Sequence, residues 1–352
     1  MTVVREGEAR THLRLNNQNL LDTYTMNKPS TAKLKLNHSN FFALRTPLLP
    51  WSEFLSFSSD LESHLAEEAA SALSAAIAAD RSRLSARLQQ QLARPEVAEA
   101  VFIASPSLHE SLDQWRQDPR SPRGQKTERA LVRYFARMTA RPTPFGLFAG
   151  CSVGAIGDRT HLELETSTKN RRHTRLDTEY ILGLAEALAR DSVLRPHLTF
   201  TPNTTLYRAA GQIRYAETRV VDGQRSHHLV AVDDSDYLAA TLERAASGAR
   251  PAHLASALVD EEITLEDATS FIDELIDSQL LESDLQPTVT GPEPIHALIE
   301  RLRSIPAAGE VVARLEQVRE VLAAMESAGH ATTDQYQRIV STLKPLPAKV
   351  DA

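Results

Sequence analysis

The chain has 352 residues, 42% of them hydrophobic, so it is long enough for about two domains with a sizeable core. Its net charge of −7 argues against a general nucleic-acid-binding protein, which needs an overall basic surface. The single cysteine, Cys151, excludes an internal disulfide. The sequence contains no run of 18 apolar residues, so we predict no membrane-spanning helix. These features predict a cytoplasmic protein.

The N-terminal part of the chain begins with 37 polar and basic residues that lack the apolar stretch of a secretory signal. We expect a disordered tail there. Residues 41–44 are apolar and precede an extended turn, which predicts a strand. Residues 60–93 are rich in Ala, Leu, Glu and Arg, which predicts one long helix. A second helix is predicted over 127–139, because Pro142 stops it.

Two apolar segments follow this helix. Residues 145–156 are apolar and glycine-rich, and residues 162–165 alternate leucine with glutamate, which predicts a strand hairpin. The three glycines match no phosphate-loop fingerprint, so we expect them to allow close strand packing. Cys151 lies in the same apolar run, and we expect it to be buried rather than nucleophilic.

The rest of the chain predicts a helix, then three strands, three helices and a closing strand, then further helices. Strands, helices and a closing strand in that order are typical of a winged-helix-like module. The predicted fold class is therefore α+β, with mixed helices, small antiparallel sheets and an embedded winged-helix-like module. The predicted bounds are helix 177–190, strands 198–207, 212–221 and 226–232, helices at 235–246 and from Pro251 and Thr264, strand 280–285, and helices 295–325 and 334–343.

Arginines recur every four residues along the second predicted helix, at positions 129, 133, 137 and 141. Residues four apart share one helix face. Residues 116–141 hold eight basic and two acidic side chains, a net charge of +6. Guanidinium groups suit phosphate and carboxylate, so the pattern indicates a polyanion site. A solvated face, or pairing with carboxylates on neighbouring elements, explains the spacing equally well.

The arginines lead into the pattern R-x-x-x-R-x-T-P-F-G-L-F-A-G at residues 137–150. RTPL at 45–48 and RLD at 175–177 flank it, and NTTLY at 203–207 and GPEP at 291–294 follow. From about residue 40 onward, the chain resembles the class I lanthipeptide (lantibiotic) dehydratases, in the N-terminal part of their glutamylation domain. The segment TPFGLFAG is the specific part of this resemblance.

The resemblance implies an enzyme that transfers glutamate from glutamyl-tRNA to Ser or Thr of a ribosomal precursor peptide. A second domain then eliminates the glutamate to leave dehydroamino acids. Glutamyl-tRNA is thus implied as co-substrate, and we expect no metal or other cofactor. The implied residues are Arg45, Arg137, Arg141, Thr143 and Asp177 as the catalytic site, and Arg123, Lys126, Arg129 and Arg133 as tRNA contacts.

Two of the implied catalytic residues have simpler explanations. Asp177 stands directly before a predicted helix, where aspartate is a frequent N-cap, and without the family this role is the preferred one. Arg45 can serve merely to cap a turn. The family assignments therefore remain expectations at these positions.

The winged-helix-like region, residues 196–287, is implied to bind the leader segment of the precursor peptide, which adds to its sheet as a strand. Residues 233–284 contain fourteen acids and two arginines, a net charge of −12. Such a surface repels phosphate, which disfavours DNA and favours a peptide partner. A structural subdomain with an acidic face is the alternative.

Members of this family are much longer than 352 residues. We therefore expect an incomplete dehydratase that is inactive unless a partner chain supplies the missing C-terminal portion. A fragmentary gene product and a relative that only binds leader peptide or tRNA are the alternatives. The expected organisation is a tail (1–37), the first part of the glutamylation domain (38–195), the leader-binding module (196–287) and a helical continuation of the glutamylation domain (288–352).

Overall fold

The structure, a computed structural model, describes residues 39–62, 70–143, 145–157, 160–164, 171–221, 224–288 and 290–350. The predicted tail lies outside them. The chain divides into two compact units. We call the described residues 39–171 the N-terminal unit and 172–350 the C-terminal unit. Each contains helices and small antiparallel sheets, which confirms the α+β class.

The N-terminal unit consists of helices around a core that includes Trp115 and Phe135, with one two-stranded sheet. Its elements are β1 (Phe41–Pro47), α1 (Trp51–Phe57), α2 (Ala70–Leu92), α3 (Pro95–Ala104), α4 (Pro106–Glu110), α5 (Leu112–Gln117), α6 (Pro122–Ala140) and β2 (Ala149–Ala155).

The sheet of the N-terminal unit pairs β1 with β2 antiparallel. The strand predicted after residue 145 is confirmed, but the hairpin with residues 162–165 is wrong, because β2 takes β1 as its partner and residues 160–164 are not in a strand. Gly154 confirms the expected close packing, since a Cβ there would come within 2.3 Å of the Phe42 ring.

The two predicted helices of the N-terminal unit differ from observation at their starts. Helix α6 begins at Pro122, before the predicted residue 127, because the Ser121 hydroxyl accepts a hydrogen bond from the Gly124 N–H (3.1 Å) and caps the helix. Helix α2 is first helical at Ala70 among the described residues. Asp60 cannot belong to it, since its φ of 55° is left-handed.

The C-terminal unit is built around one continuous core that runs from Ile181 to Leu346. Its elements are α7 (Thr178–Arg190), β3 (Phe200–Pro202), β4 (Tyr207–Ala209), β5 (Gln212–Val221), β6 (Gln224–Asp233), α8 (Asp236–Ala245), α9 (Pro251–Ser256), α10 (Leu265–Asp277), β7 (Leu281–Ser283), α11 (Pro294–Arg303), α12 (Gly309–Ala328) and α13 (Thr333–Leu343).

The strand predicted over 198–207 is two strands in different sheets: β3 pairs with β7, and β4 pairs with β5, which in turn pairs with β6. The break falls at Asn203, whose buried amide donates to Gln279 O (2.9 Å) and accepts from the Thr205 N–H (2.9 Å). The closing strand β7 thus lies in a separate two-stranded sheet. The winged-helix assignment stays a prediction.

Helix starts in the C-terminal unit follow the predicted caps. Pro251 is the first residue of α9. Thr264 and Asp267 form a capping box at α10, in which each side chain accepts from the other's backbone N–H. The predicted helix over 295–325 is instead α11 and α12, because a 3-10 turn at Pro306–Ala308 separates them.

Within the described ranges, we find no helix with the length and apolar character needed to span a bilayer.

Candidate anion-binding site

Helix α6 presents an exposed row of cations that includes Arg129 and Arg133. We define the α6 basic face as Arg123, Lys126, Arg129, Arg133 and Arg137, together with Arg141 directly after the helix. No carboxylate of the described residues lies within 4 Å of these cations. The pairing explanation therefore finds no support in the part of the chain that the structure describes.

The single acid of α6 does not neutralise this face, because it serves the core. Glu128 accepts a hydrogen bond from Trp115 Nε1 (3.0 Å), and Trp115 is fully buried. Arg129 donates to the backbone oxygen of Gln125 (3.2 Å) rather than to an acid. The repulsion between neighbouring arginines, a few tenths of a kcal/mol per pair, is thus left uncompensated by described carboxylates.

Arg137 differs from the rest of the basic face because it is half-buried over aromatic rings. Its guanidinium carbon lies 4.4 Å from the centre of the Phe145 ring and 5.9 Å from that of Phe148. Tyr134 meets Phe148 edge to face at 5.2 Å. Cation–π contacts of this kind hold a guanidinium without neutralising it. Sequence reasoning missed this platform, although the paired phenylalanines of TPFGLFAG were its signal.

Residues 145–148 turn sharply because Gly146 has a φ of 54°, in the left-handed region that favours glycine. The Phe148 N–H donates to Phe145 O (3.0 Å) and closes the turn. The turn therefore brings both phenylalanine rings to Arg137 and lets the chain enter β2.

Two backbone hydrogen bonds join the end of β1 to this region. The Leu49 N–H donates to Met138 O (2.8 Å), and the Leu48 N–H donates to Phe148 O (2.9 Å). Strand β1, the end of α6 and the TPFGLFAG segment consequently meet at one end of the N-terminal unit. Of the predicted catalytic residues, Arg45, Arg137, Arg141 and Thr143 all lie on these three segments.

The exposed members of this group lie where a ligand can reach them. Arg141 follows α6 directly and its N–H donates to Arg137 O (3.1 Å), while its side chain is exposed. Thr143 is also exposed. Arg45 is exposed on β1, opposite Cys151. The predicted burial of Cys151 is wrong, because no described element covers its face of the two-stranded sheet.

Asp177, the fifth predicted catalytic residue, belongs to the C-terminal unit. Its side chain caps α7 by accepting from the Glu179 N–H (2.8 Å). The capping role is therefore observed, and the catalytic role stays a prediction.

The predicted leader-binding region, residues 196–287, has a sheet edge, and some of its acids pair with arginines outside the region. Arg195 bonds to Asp273 (2.8 Å) and Asp277 (2.6 Å) on α10. Within the described residues, β6 is an edge strand whose paired neighbour is β5. An edge strand offers unpaired backbone donors and acceptors.

The described residues contain no group of three His, Cys, Asp or Glu side chains arranged to hold a metal ion. His227 and His228 are adjacent on β6 and bond to different hydroxyls, Thr218 Oγ1 (3.2 Å) and Ser226 Oγ (3.0 Å). That the protein needs no metal stays a prediction.

In an α+β fold, the basic face of α6 and the exposed arginines beside it suit an anionic ligand, because guanidinium groups bind carboxylate and phosphate. The model of the family described as "Lantibiotic dehydratase, N terminus" matches residues 93–352, and the chain belongs to this family. The subtilin biosynthesis protein SpaB of Bacillus subtilis is 24% identical over 265 residues, which cover 72% of this chain and 25% of SpaB. The match thus spans about a quarter of the length of that relative.

Solved structures agree on the fold. The tRNA dependent lantibiotic dehydratase MibB from Microbispora sp. 107891 matches with a TM-score of 0.63 at 22% identity, over 88% of this chain and 28% of MibB. The glutamylation domain TbtB from thiomuracin biosynthesis matches with a TM-score of 0.50 at 18% identity, over 78% of this chain and 33% of TbtB. At these identities the likeness establishes the fold.

Proposed function

We propose that the chain forms part of the tRNA-dependent glutamylation site of a lantibiotic dehydratase. The observation that carries the proposal is the α6 basic face, which lacks described carboxylate partners in a chain of this family. MibB is described as tRNA dependent and TbtB as a glutamylation domain, which supports the same reaction here. The co-substrate is glutamyl-tRNA, no other cofactor takes part, and the protein works in the cytoplasm.

In the proposed reaction, a Ser or Thr hydroxyl oxygen attacks the ester carbonyl of glutamyl-tRNA. The new ester bond forms, the bond to the ribose oxygen breaks, and the ribose oxygen takes up the proton. Negative charge develops on the carbonyl oxygen, where positioned donors stabilise the transition state. Arg141 and the Thr143 hydroxyl are the exposed donors we assign to this task.

The remaining site residues have supporting roles in the proposal. Arg45 and Arg137 bind carboxylate or phosphate oxygens of the glutamyl-tRNA end, since guanidinium groups bind both with paired donors. Asp177 positions the glutamate amine or one of the arginines. Arg123, Lys126, Arg129 and Arg133 bind backbone phosphates, which gives affinity without reading sequence.

The precursor peptide is the second proposed partner, held by its leader segment on residues 196–287. Two observations support this role: the net charge of −12 over residues 233–284, and the edge position of β6. A peptide can add to such an edge as a further strand. The same observations favour a second candidate function, leader binding without chemistry.

Glutamate elimination and the rest of the glutamylation domain lie, in this proposal, in dehydratase sequence beyond the matched quarter, on the same polypeptide or on a partner chain. The test is glutamylation of a precursor peptide by this chain supplemented with that sequence and glutamyl-tRNA, followed by mass spectrometry. Arg141→Ala should abolish the product. Arg303→Gln is the matched control, because Arg303 already pairs with Glu300 and Glu316.

The outcomes separate the two candidate functions. Wild-type activity in Arg141→Ala would show that the site is wrongly assigned. No product from the wild type, together with saturable binding of a synthetic leader peptide but not of a scrambled one, would establish the binding-only function.

A further inference from the structure

A groove of about 480 Å³ lies in the N-terminal unit between α2 and the start of α6. Ile77, Arg81 and Ser85 line it from α2, Arg120 from the loop before α6, and Gln125 from α6 itself. None of these residues belongs to the glutamylation site proposed above.

The groove has a net positive lining. Neither Arg81 nor Arg120 has a carboxylate within 4 Å among the described residues, and Arg120 instead donates to the Ser82 hydroxyl (3.1 Å). The acid in the lining, Glu128, accepts a hydrogen bond from Trp115 Nε1. An anionic ligand therefore meets two cations that no described acid competes for.

The wall of the groove also carries apolar surface and a polar atom that lacks a partner. Ile77 is 43% exposed and gives the groove an apolar wall. The Ser85 hydroxyl oxygen is buried and makes no hydrogen bond with any described residue. Two cations beside an exposed apolar side chain suit a nucleotide, which presents a phosphate and the face of a base.

The groove is continuous with the α6 basic face. Gln125 lies one turn before Arg129 on the same helix face. The rise of an α-helix places Gln125 about 24 Å along the axis from Arg141. A nucleic-acid chain that reaches Arg141 with its glutamylated end can therefore pass along α6 to the groove.

We propose that this groove binds one unpaired nucleotide of the tRNA, with its phosphate at Arg81 and Arg120 and its base against Ile77. The inference rests on the proposed function, since it assumes that tRNA is bound along α6. It assigns two further phosphate-binding residues and a base-binding wall outside the family motif.

The test measures binding of unacylated glutamate tRNA to the full chain by fluorescence anisotropy, over a salt series. Because both arginines contact the same single-stranded phosphate, replacing them should make the plot of log affinity against log salt less steep by about 0.7. The double variant Arg81→Gln/Arg120→Gln should also weaken binding on the order of tenfold at low salt. Arg83→Gln/Arg94→Gln is the matched control, because both arginines pair with acids in the same unit.

A second probe is the same tRNA without its single-stranded 3′ end. The wild type should bind this tRNA no more tightly than the double variant binds the intact one, because contacts near Arg141 are lost as well. On the truncated tRNA, the wild type and the double variant should bind equally. If the double variant is weakened equally with both tRNAs, the ligand is duplex and the proposal fails. Circular dichroism confirms that the variants fold.

Arg133→Gln separates this inference from the function on which it rests. Weakened binding in Arg133→Gln with unchanged binding in the double variant would overturn the groove and keep the proposed function. Unchanged binding in both would overturn both.

Discussion

Arginines in the two units occupy opposite electrostatic surroundings. In the C-terminal unit, Arg195 and Arg225 are mostly buried, and each bonds to two carboxylates. Burial lowers the pKa of Arg225, but hydrogen bonds to Glu186 and Glu179 outweigh it and leave the pKa raised. On α6, by contrast, no described carboxylate reaches the exposed arginines. The paired arginines hold helices and strands together, whereas the unpaired ones remain available to an anion from outside.

The same contrast appears in the charge of whole segments. Residues 116–141 have a net charge of +6, and residues 233–284 have −12. The net charge of −7 for the chain hides this separation. In the proposed function, tRNA meets the basic segment and the precursor peptide meets the acidic one.

Among the variants that test the contrast between paired and unpaired arginines, Arg137→Gln should show the largest effect, on activity. Replacing the guanidinium over Phe145 should lower the glutamylation rate about 100-fold, or about 2.7 kcal/mol in the barrier. Rates come from mass spectrometry of the precursor peptide. Arg303→Gln should keep the wild-type rate. An equal loss of rate in both variants would show that unpaired arginines matter no more for the reaction than paired ones.

Arg195→Ala should mainly affect stability. It leaves Asp273 and Asp277 without their partner and should lower the free energy of unfolding by about 2 kcal/mol, at the low end for broken pairs because both acids are partly exposed. Urea denaturation measures it. An unaltered midpoint would show that the paired arginines do not stabilise the C-terminal unit.

Asp177 can be tested with two substitutions that separate capping from chemistry. Asp177→Ala should destabilise α7 by about 1 kcal/mol, whereas Asp177→Asn should keep the cap and nearly all of the stability. Thermal unfolding and glutamylation are measured on both. Full activity in Asp177→Asn would limit Asp177 to the cap and remove it from the site.

Phe145→Leu tests the aromatic platform under Arg137. Loss of the cation–π contact, about 0.5–1 kcal/mol, should raise KM for glutamyl-tRNA about threefold through a misplaced guanidinium. Phe145→Tyr should restore the wild-type KM because its ring has the same face. A KM that fails to recover with tyrosine would indicate a packing defect instead.

The smallest effect is expected from Arg133→Gln. Its free energy of unfolding should change by less than about 0.5 kcal/mol, since it loses no ion pair with a described carboxylate. The slope of tRNA affinity against salt should fall by about 0.9, as for one phosphate contact. A marked loss of stability would reveal a hidden partner and place Arg133 with the paired arginines.

Local features of this protein could be predicted from sequence. Four-residue spacing predicted the α6 face, and the capping box at Thr264 and the proline start of α9 were read from single residues. The family was recognised from the TPFGLFAG motif and is confirmed by the match to residues 93–352. These features depend on neighbours within a few positions, so the linear pattern contains them.

Contacts between distant residues were decided by the tertiary structure. It paired β1 with β2, which exposed Cys151, and it divided the predicted strand at Asn203 between two sheets. It also decided which arginines form ion pairs with acids. Arg195 pairs with Asp273, 78 positions away in sequence, whereas the arginines of α6 pair with no described acid. Strand partners and ion pairs form between segments brought together only by folding of the core. The spacing could therefore predict that the α6 arginines share one helix face. Only the fold shows that no described carboxylate pairs with them, so that this face stays positively charged.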